Sequence, residues 1–390
     1  MAKLSFPIGP QHPALKEPEN LRFTVDGEVV VDADIRIGYV HRGIERSCQD
    51  RNYVQDIYLC ERVCGICSNA HTLCYALTVE KLTDVEVPVR AEYIRMLMHE
   101  LERIHSHMLW LGVAGHEVGF ETLFMYAWRD REVIQDILEM ISGNRGHYGI
   151  VSLGGVRNDL TPEMIEKARE GLGILRDRAE HYADIATTEA TFLKRVRDVG
   201  AVTAERCRTL GALGPTARAS GVDYDVRAYF PYLHYDKMPW EVRTSELCDV
   251  LGRTIVRVLE VIDAANICLE TLNTLPEGPV QAKFPRKVPE GEAVGRIEAQ
   301  RGELIYYVRS DGSDTPERVK IRTPTLANLP ISVEMVRGGY IADIPIAFMS
   351  IDPCFSCTDR MVVIEDAEGG ESRQMTWAEL TRLSRERWGK

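Results

Sequence analysis

Four of the ten cysteines fall into two Cys-Xaa-Xaa-Cys pairs near opposite ends of the chain. Cys64 and Cys67 lie in Glu61-Arg-Val-Cys-Gly-Ile-Cys, and Cys354 and Cys357 in Asp352-Pro-Cys-Phe-Ser-Cys. Each pair puts two soft thiolates within chelating reach of one metal, and Gly65 lets the backbone turn tightly inside the first pair. One centre built from all four thiols requires a fold that brings the chain ends together. Three chemistries fit the spacing. A structural zinc site is one, although its halves ordinarily lie tens of residues apart. A dithiol redox pair is another, although neither motif has the strand-to-helix βαβ context such pairs use. The third is a catalytic soft-metal centre. The other six cysteines (48, 60, 74, 207, 248 and 268) are scattered singly and read as small buried hydrophobes.

Other signals narrow the chemistry by exclusion. His12, His41, His99, His105, His107 and His116 lie near the cysteine motifs or in one stretch, but the spacing after His99-Glu100 is not that of a zincin helix. His105 and His107, two positions apart, cannot face one metal from a regular helix, so these histidines read as core or interface groups. There is no Walker loop and no Gly-rich dinucleotide fingerprint, which argues against ATP and NAD. The net charge of −12 argues against nucleic acid and against direct contact with an anionic membrane.

These side chains must be positioned by the elements around them. At 390 residues with 45% hydrophobic content, the chain can bury a large core. No stretch approaches the roughly 18 apolar residues of a membrane-spanning helix, and prolines stand where a signal peptide would carry its apolar segment, so a cytoplasmic location is expected. Residues 1–46 alternate apolar and polar around Asp26-Gly27, the mark of a β-hairpin. From 47 to 278 helical periodicity dominates, clearest at Ile94, Leu97, Met98, Leu101, Ile104, Met108 and Leu111. A long helix is expected from an N-cap at Thr244 to Leu272, ended by Pro276 and Gly278. Residues 279–350 return to short strand-like runs, including Leu304-Ile-Tyr-Tyr-Val-Arg before Asp311-Gly. The fold class is therefore α+β: a large helical bundle core with a small mixed β region, in which residues 279–350 pair with the N-terminal segment. After Arg360 come a strand-like run, a Gly369-Gly370 turn and a capping box at Thr376 and Glu379 that opens a short helix.

The residues flanking both cysteine pairs, Arg62-Val-Cys-Gly-Ile-Cys and Asp352-Pro-Cys-Phe-Ser-Cys-Thr-Asp-Arg360, closely resemble the two signatures of the [NiFe] hydrogenase large subunit. Further matches run along nearly the whole chain. They are Gly9-Pro-Gln-His-Pro-Ala-Leu-Lys-Glu-Pro, His41-Arg-Gly-Ile-Glu, Glu100-Leu-Glu-Arg-Ile-His-Ser-His, Gly214-Pro-Thr-Ala-Arg-Ala-Ser-Gly and Glu298-Ala-Gln-Arg-Gly-Glu-Leu. The pattern is similar to the group 4, energy-converting, membrane-associated branch. That branch shares ancestry with the quinone-proximal large subunit of complex I, which lacks both cysteine pairs.

The resemblance implies a nickel–iron centre with two cyanides and one carbon monoxide on the iron. Cys64 and Cys354 would be terminal on nickel, and Cys67 and Cys357 would bridge the metals. It further implies a cationic Arg301 over the centre, here preceded by Gln300 where many relatives have proline. Glu17 would be a proton-relay carboxylate, Cys354 a base, and Asp352 an organiser of its turn. Glu45 matches a carboxylate that holds a second metal, usually magnesium, but the C-terminal histidine that partners it is replaced by Arg360. His12 matches a quinone-pocket histidine of the complex I relative.

The implied activity is reversible reduction of protons to H2. Electrons would come from a ferredoxin-like donor through a small subunit with a [4Fe-4S] cluster, since this chain has no cluster of its own. Membrane and hydrophilic partners of a complex I-like assembly would couple the reaction to ion movement, placing this subunit on the inner face of the cytoplasmic membrane. Residues 1–360 would form one domain. Nickel-insertion proteins and an endopeptidase cutting after Arg360 would mature it by removing 361–390.

Overall fold

A computed structural model of the protein describes residues 3–13, 15–359, 362–364, 373–375 and 377–388. The N-terminal alternation produces β1 (Leu4–Ile8), β2 (Asn20–Asp26) and β3 (Val29–Arg36), an antiparallel sheet with β2 in the centre. Its tight turn is made at Asp26-Gly27, where Gly27 takes a positive φ of 63°. Leu21, Phe23 and Val25 on one face of β2 are buried, as the period-2 pattern requires.

The helical stretch opens with α1 (Ile44–Cys48), α2 (Tyr53–Glu61) and α3 (Ser68–Glu80). Asn52 and Gln55 close a reciprocal capping box at the start of α2. The bundle is built from α4 (Val89–Glu117), α5 (Glu121–Ser142), α6 (Pro162–Thr188) and, later, a fourth long helix; a small hairpin of β4 (Val151–Ser152) and β5 (Gly155–Val156) separates α5 from α6. Four short helices follow α6: α7 (Ala190–Val196), α8 (Ala204–Leu210), α9 (Gly214–Arg218) and α10 (Val226–Tyr229). The fourth long helix, α11 (Val250–Asn273), packs on α4 and α6, and α4 also packs on α5.

The start of α11 differs from expectation. Its N-cap is Asp249 rather than Thr244, because the Asp249 carboxylate accepts the Gly252 N–H at 2.8 Å and the Asp198 N–H at 2.8 Å. A carboxylate that satisfies two backbone donors outcompetes a threonine five residues earlier.

The later β region consists of β6 (Gly291–Ala299), β7 (Gly302–Ser310) and β8 (Arg318–Arg322), in order β6-β7-β8 and antiparallel throughout. It does not join the N-terminal sheet, which corrects the expected single mixed region. The hairpin sheet instead buries its inner face (Ile297, Leu304, Tyr306, Val308) against α3 and forms a three-stranded sheet of its own. The N-terminal sheet meets the later segment through backbone pairing of Glu28, Val29 and Val30 with residues 338–341, through an Arg337–Asp32 ion pair, and through an apolar cluster in which Leu21, Phe23, Val25 and Val30 pack with Val336, Ile344, Ala347 and Phe348.

Next come α12 (Pro324–Val336) and α13 (Ile344–Met349), then β9 (Val362–Ile364) paired with β10 (Arg373–Met375), and α14 (Trp377–Trp388). Arg360, the Gly369-Gly370 turn and the Thr376 cap fall outside the described residues. The α+β class stands, and among the described residues no helix is long and apolar enough to cross a membrane.

Candidate functional site

The two cysteine motifs meet, but loops rather than a shared sheet bring them together. Cys67 is the N-cap of α3, so the first motif occupies the turn between α2 and α3. The second follows α13 directly. Cys64 Sγ lies 3.3 Å from Cys354 Sγ, and Cys64 is also within hydrogen-bonding range of Cys357 and Cys67. All four side chains are buried in the main core. The Ile66 and Cys67 N–H groups point at Cys64 Sγ at 3.4 and 3.3 Å, a consequence of the tight Cys-Gly-Ile-Cys turn. Hydrogen bonds from Cys354, Cys357 and Cys67, with Arg301 nearby, draw the Cys64 pKa well below the usual thiol range, while the Cys64 contact and burial push Cys67 well above it. Among the described residues no group of three or more His, Cys, Asp or Glu side chains is already arranged to hold a metal ion.

Arg301 occupies the two-residue turn of the β6–β7 hairpin, where Ala299 pairs with Gly302. Gly302 has φ +127°, and Gly214 packs so closely that a Cβ on it would stand 2.3 Å from the Arg301 carbonyl. Two glycines therefore let the α9 loop press on the hairpin tip. The Arg301 guanidinium donates to the Asp352 carbonyl at 2.7 Å, to Asp352 Oδ1 at 2.8 Å and to Ser106 Oγ at 3.4 Å. Burial opposes its charge, but Asp352 and the thiols of Cys67, Cys354 and Cys64 outweigh burial and keep it protonated. Asp352 itself has φ +56°, an uncommon conformation for a non-glycine residue, which aims its carbonyl and carboxylate at the same partner.

Glu17 reaches the second motif: its Oε2 accepts the N–H of Phe355 and, at 3.1 Å, that of Ser356. Both donors lie between Cys354 and Cys357. Glu45 is elsewhere, on α1, where it accepts from Lys320 Nζ at 3.1 Å and the Ile321 N–H at 2.9 Å. His99, His105 and His107 are buried on α4, and burial lowers their pKa to about 4, 3 and 4, so they are neutral at physiological pH. His107 bonds Glu260 at 3.0 Å, as expected of a core histidine. Five of the six single cysteines are buried; Cys248, at φ +63°, is the partly exposed one.

Sequence reading did not single out Arg42. Its guanidinium donates to the carbonyls of Arg62 (2.5 Å), Val63 (2.9 Å) and Ser356 (2.7 Å), joining the turn before Cys64 to the loop inside the second motif. Beside it, the Val40 N–H donates to Asp359 Oδ2 at 2.6 Å. A basic residue that ends a Gly-flanked turn was the available signal, but its three partners lie too far away in sequence for any local rule to supply them.

Comparison with known proteins bears on this architecture. The profile of the respiratory-chain NADH dehydrogenase 49 kDa subunit matches residues 117–288 and 285–360, and that of nickel-dependent hydrogenases matches residues 42–112. The fold and these profiles define the class: a large subunit of the line shared by hydrogenases and complex I. Within that class, the chain belongs to the family of [NiFe] hydrogenase large subunits of the energy-converting, membrane-associated type. The membrane-bound hydrogenase subunit alpha of Pyrococcus furiosus is 39% identical, covering 98% of this chain and 93% of the relative. The carbon monoxide-induced hydrogenase of Rhodospirillum rubrum is 41% identical over 92% of this chain and the whole of the relative. Among solved structures, a chain of the membrane-bound sulfane sulfur reductase, an archaeal respiratory membrane complex, superposes with a TM-score of 0.87 at 31% identity, covering 92% of this chain and 98% of that one.

Proposed function

We propose that this chain is the catalytic large subunit of a membrane-associated, energy-converting [NiFe] hydrogenase that reversibly reduces protons to H2. The observation that carries the reading is the convergence of four buried thiols on one point beside the protonated Arg301. Four soft sulfur donors suit nickel and low-spin iron. Side-chain atoms of Asn69, Gln300 and Asp352, each within two positions of a motif cysteine or Arg301, are buried without a protein hydrogen-bond partner, as expected beside a polar non-protein group.

In this reading Cys64 and Cys354 would serve nickel alone and Cys67 and Cys357 would serve nickel and iron together, with two cyanides and one carbon monoxide completing the iron. When bound, the centre supplies the two-electron exchange between two protons and H2. Arg301, fixed by Asp352, places positive charge over the thiolates without giving up its own proton. Glu17, anchored through Oε2 on the loop of Cys354, exchanges protons at Oε1. The residues around Glu45 do not fit a divalent cation, because the Lys320 ammonium already matches its carboxylate; no step runs through a magnesium ion.

Electrons enter from a ferredoxin-like donor through a small subunit with a [4Fe-4S] cluster. Membrane partners couple the reaction to H+ or Na+ movement at the inner face of the cytoplasmic membrane. Residues 1–360 act as one domain, matured by nickel-insertion proteins and by cleavage after Arg360. A second reading, a connector subunit without hydrogenase activity, is favoured by the 49 kDa profile match and by the resemblance to the sulfane sulfur reductase chain.

Metal analysis and infrared spectroscopy of the purified complex separate the two readings. Nickel and iron in similar amounts with cyanide and carbon monoxide bands are expected, together with loss of H2 evolution in Cys357→Ser. Zinc alone, or no metal, overturns the hydrogenase reading.

A further inference from the structure

The first turn of α3, immediately after Cys67, lacks the usual local cap: Cys67 stands at the N-cap and makes no side-chain capping bond. Its free backbone donors are satisfied from another helix. Glu102 on α4, fully buried, accepts the Asn69 N–H at 2.6 Å through Oε1 and the Ala70 N–H at 2.9 Å through Oε2, and Ser68 Oγ lies 3.3 Å from Oε1. A buried carboxylate at a helix N-terminus is stabilised by these aligned donors and by the helix dipole. The same Oε2 takes one further bond, from Gln300 Nε2 at 3.0 Å. Gln300 is the other residue of the β6–β7 turn, directly before Arg301, and is also fully buried.

We propose that Glu102 and Gln300 form a positioning pair that locks the hairpin tip bearing Arg301 to the helix headed by Cys67. Asp352 ties the guanidinium to the approach to Cys354, and the Glu102–Gln300 link ties its backbone to the Cys67 side. Arg301 is thereby held between both halves of the thiol cluster. The link also gives Gln300 a task of its own at the position where many relatives carry proline: its amide donates a bond that a proline side chain could not make.

The proposal rests on the hydrogenase reading for its consequence, but not for its geometry, and the test separates the two. In the purified complex, Gln300→Ala is expected to retain nickel and iron, shift the infrared bands of the iron-bound diatomic ligands, and slow H2 evolution by roughly tenfold or more through misplacement of Arg301. Glu102→Gln should do the same and also speed amide exchange in peptides spanning 68–72. The exchanged pair, Glu102→Gln with Gln300→Glu, restores an amide-to-carboxylate bond to the hairpin tip but not both backbone bonds to α3, so it should recover part of the wild-type rate and band positions while exchange at 68–72 stays fast, a split that a general loss of stability would not produce. Wild-type bands and turnover in Gln300→Ala overturn the pair. Hydrogen exchange at residues 300–302 gives a reading that needs no metal: Gln300→Ala should accelerate it at unchanged melting temperature, and unchanged exchange overturns the pair even in a complex that carries no nickel. Absence of nickel and of diatomic bands from the wild-type complex, with accelerated exchange in the variant, would uphold the link while removing the hydrogenase reading.

Discussion

Glu17 and Glu19 stand two positions apart and meet opposite environments. Glu17 is engaged by two backbone N–H groups of the Cys354 loop, whereas Glu19 is buried with Oε2 lacking a partner, and burial, reinforced by Glu17 and Asp359, raises its pKa to about 9. Glu17→Gln keeps one acceptor for the loop but cannot exchange a proton. It is expected to leave metal content intact and lower turnover by about 10²-fold, measured as H2 evolution against nickel content. For Glu19 the folded state holds a proton that the unfolded chain releases above its ordinary pKa of 4.5. Stability therefore falls as pH rises from there toward 9. Glu19→Gln removes that dependence, so its advantage over wild type should grow with pH, reaching on the order of 1–3 kcal/mol near neutrality. Denaturant melts at pH 5, 7 and 9 check the trend, and equal midpoints for both proteins at every pH would refute the assignment. The pair also marks the limit of local reading: Glu17 was recognisable through its motif, but nothing near Glu19 in the sequence tells that it is buried.

At the scale of elements, the hairpin that presents Arg301 owes its position to a close crossing of strand and helix. Gly295 of β6 lies on α3 so tightly that a Cβ would come within 2.0 Å of Thr78 Oγ1 and 3.2 Å of the Cys74 carbonyl. Gly295→Ala should push β6 off α3 and cost about 1–3 kcal/mol. Because β6 leads into the Gln300-Arg301 turn, turnover should fall with it; a shift in unfolding midpoint with no loss of H2 evolution would separate strand seating from arginine placement. The elements themselves were largely legible. The Asp26-Gly27 hairpin, the long α4 and the return to strands after residue 279 follow from period and turn chemistry. The pairing of β regions was not legible, because alternation specifies which face is buried but not which partner buries it. The apolar stripe of α4 was also only half the truth: Glu100, Glu102, Arg103, His105 and His107 on its other faces are buried as well, and partners for them arrive from α3, α10, α11, β6 and the β6–β7 turn.

Over the whole molecule, those partners form a buried ionic network behind the thiol cluster. Arg218 bonds Glu260 at 2.8 Å and Glu298 at 2.7 Å, Arg227 bonds Asp225 at 2.8 Å and Glu100 at 3.3 Å, and Arg103 closes on Glu100 at 2.9 Å. Opposing charges keep Glu260 and Glu100 ionised despite burial, with pKa values held down, Glu100 at about 2. Removing one member leaves its partner charged and unpaired, so Arg218→Ala should destabilise by about 3–5 kcal/mol; chemical denaturation measures it, and a loss under about 1 kcal/mol would show the network to be dispensable. Sequence alone determined which atoms could do chemistry and which family pattern they follow, because thiol type, spacing and flanking residues are local properties of the chain. Tertiary structure alone decided that Arg42 staples the two motifs, that Glu102 caps the helix of Cys67, that Glu45 faces Lys320, and that charges on an apparently amphipathic helix lie inside. Each of these depends on partners brought together by long-range packing, and charge pairing across such distances leaves no periodic trace in the sequence.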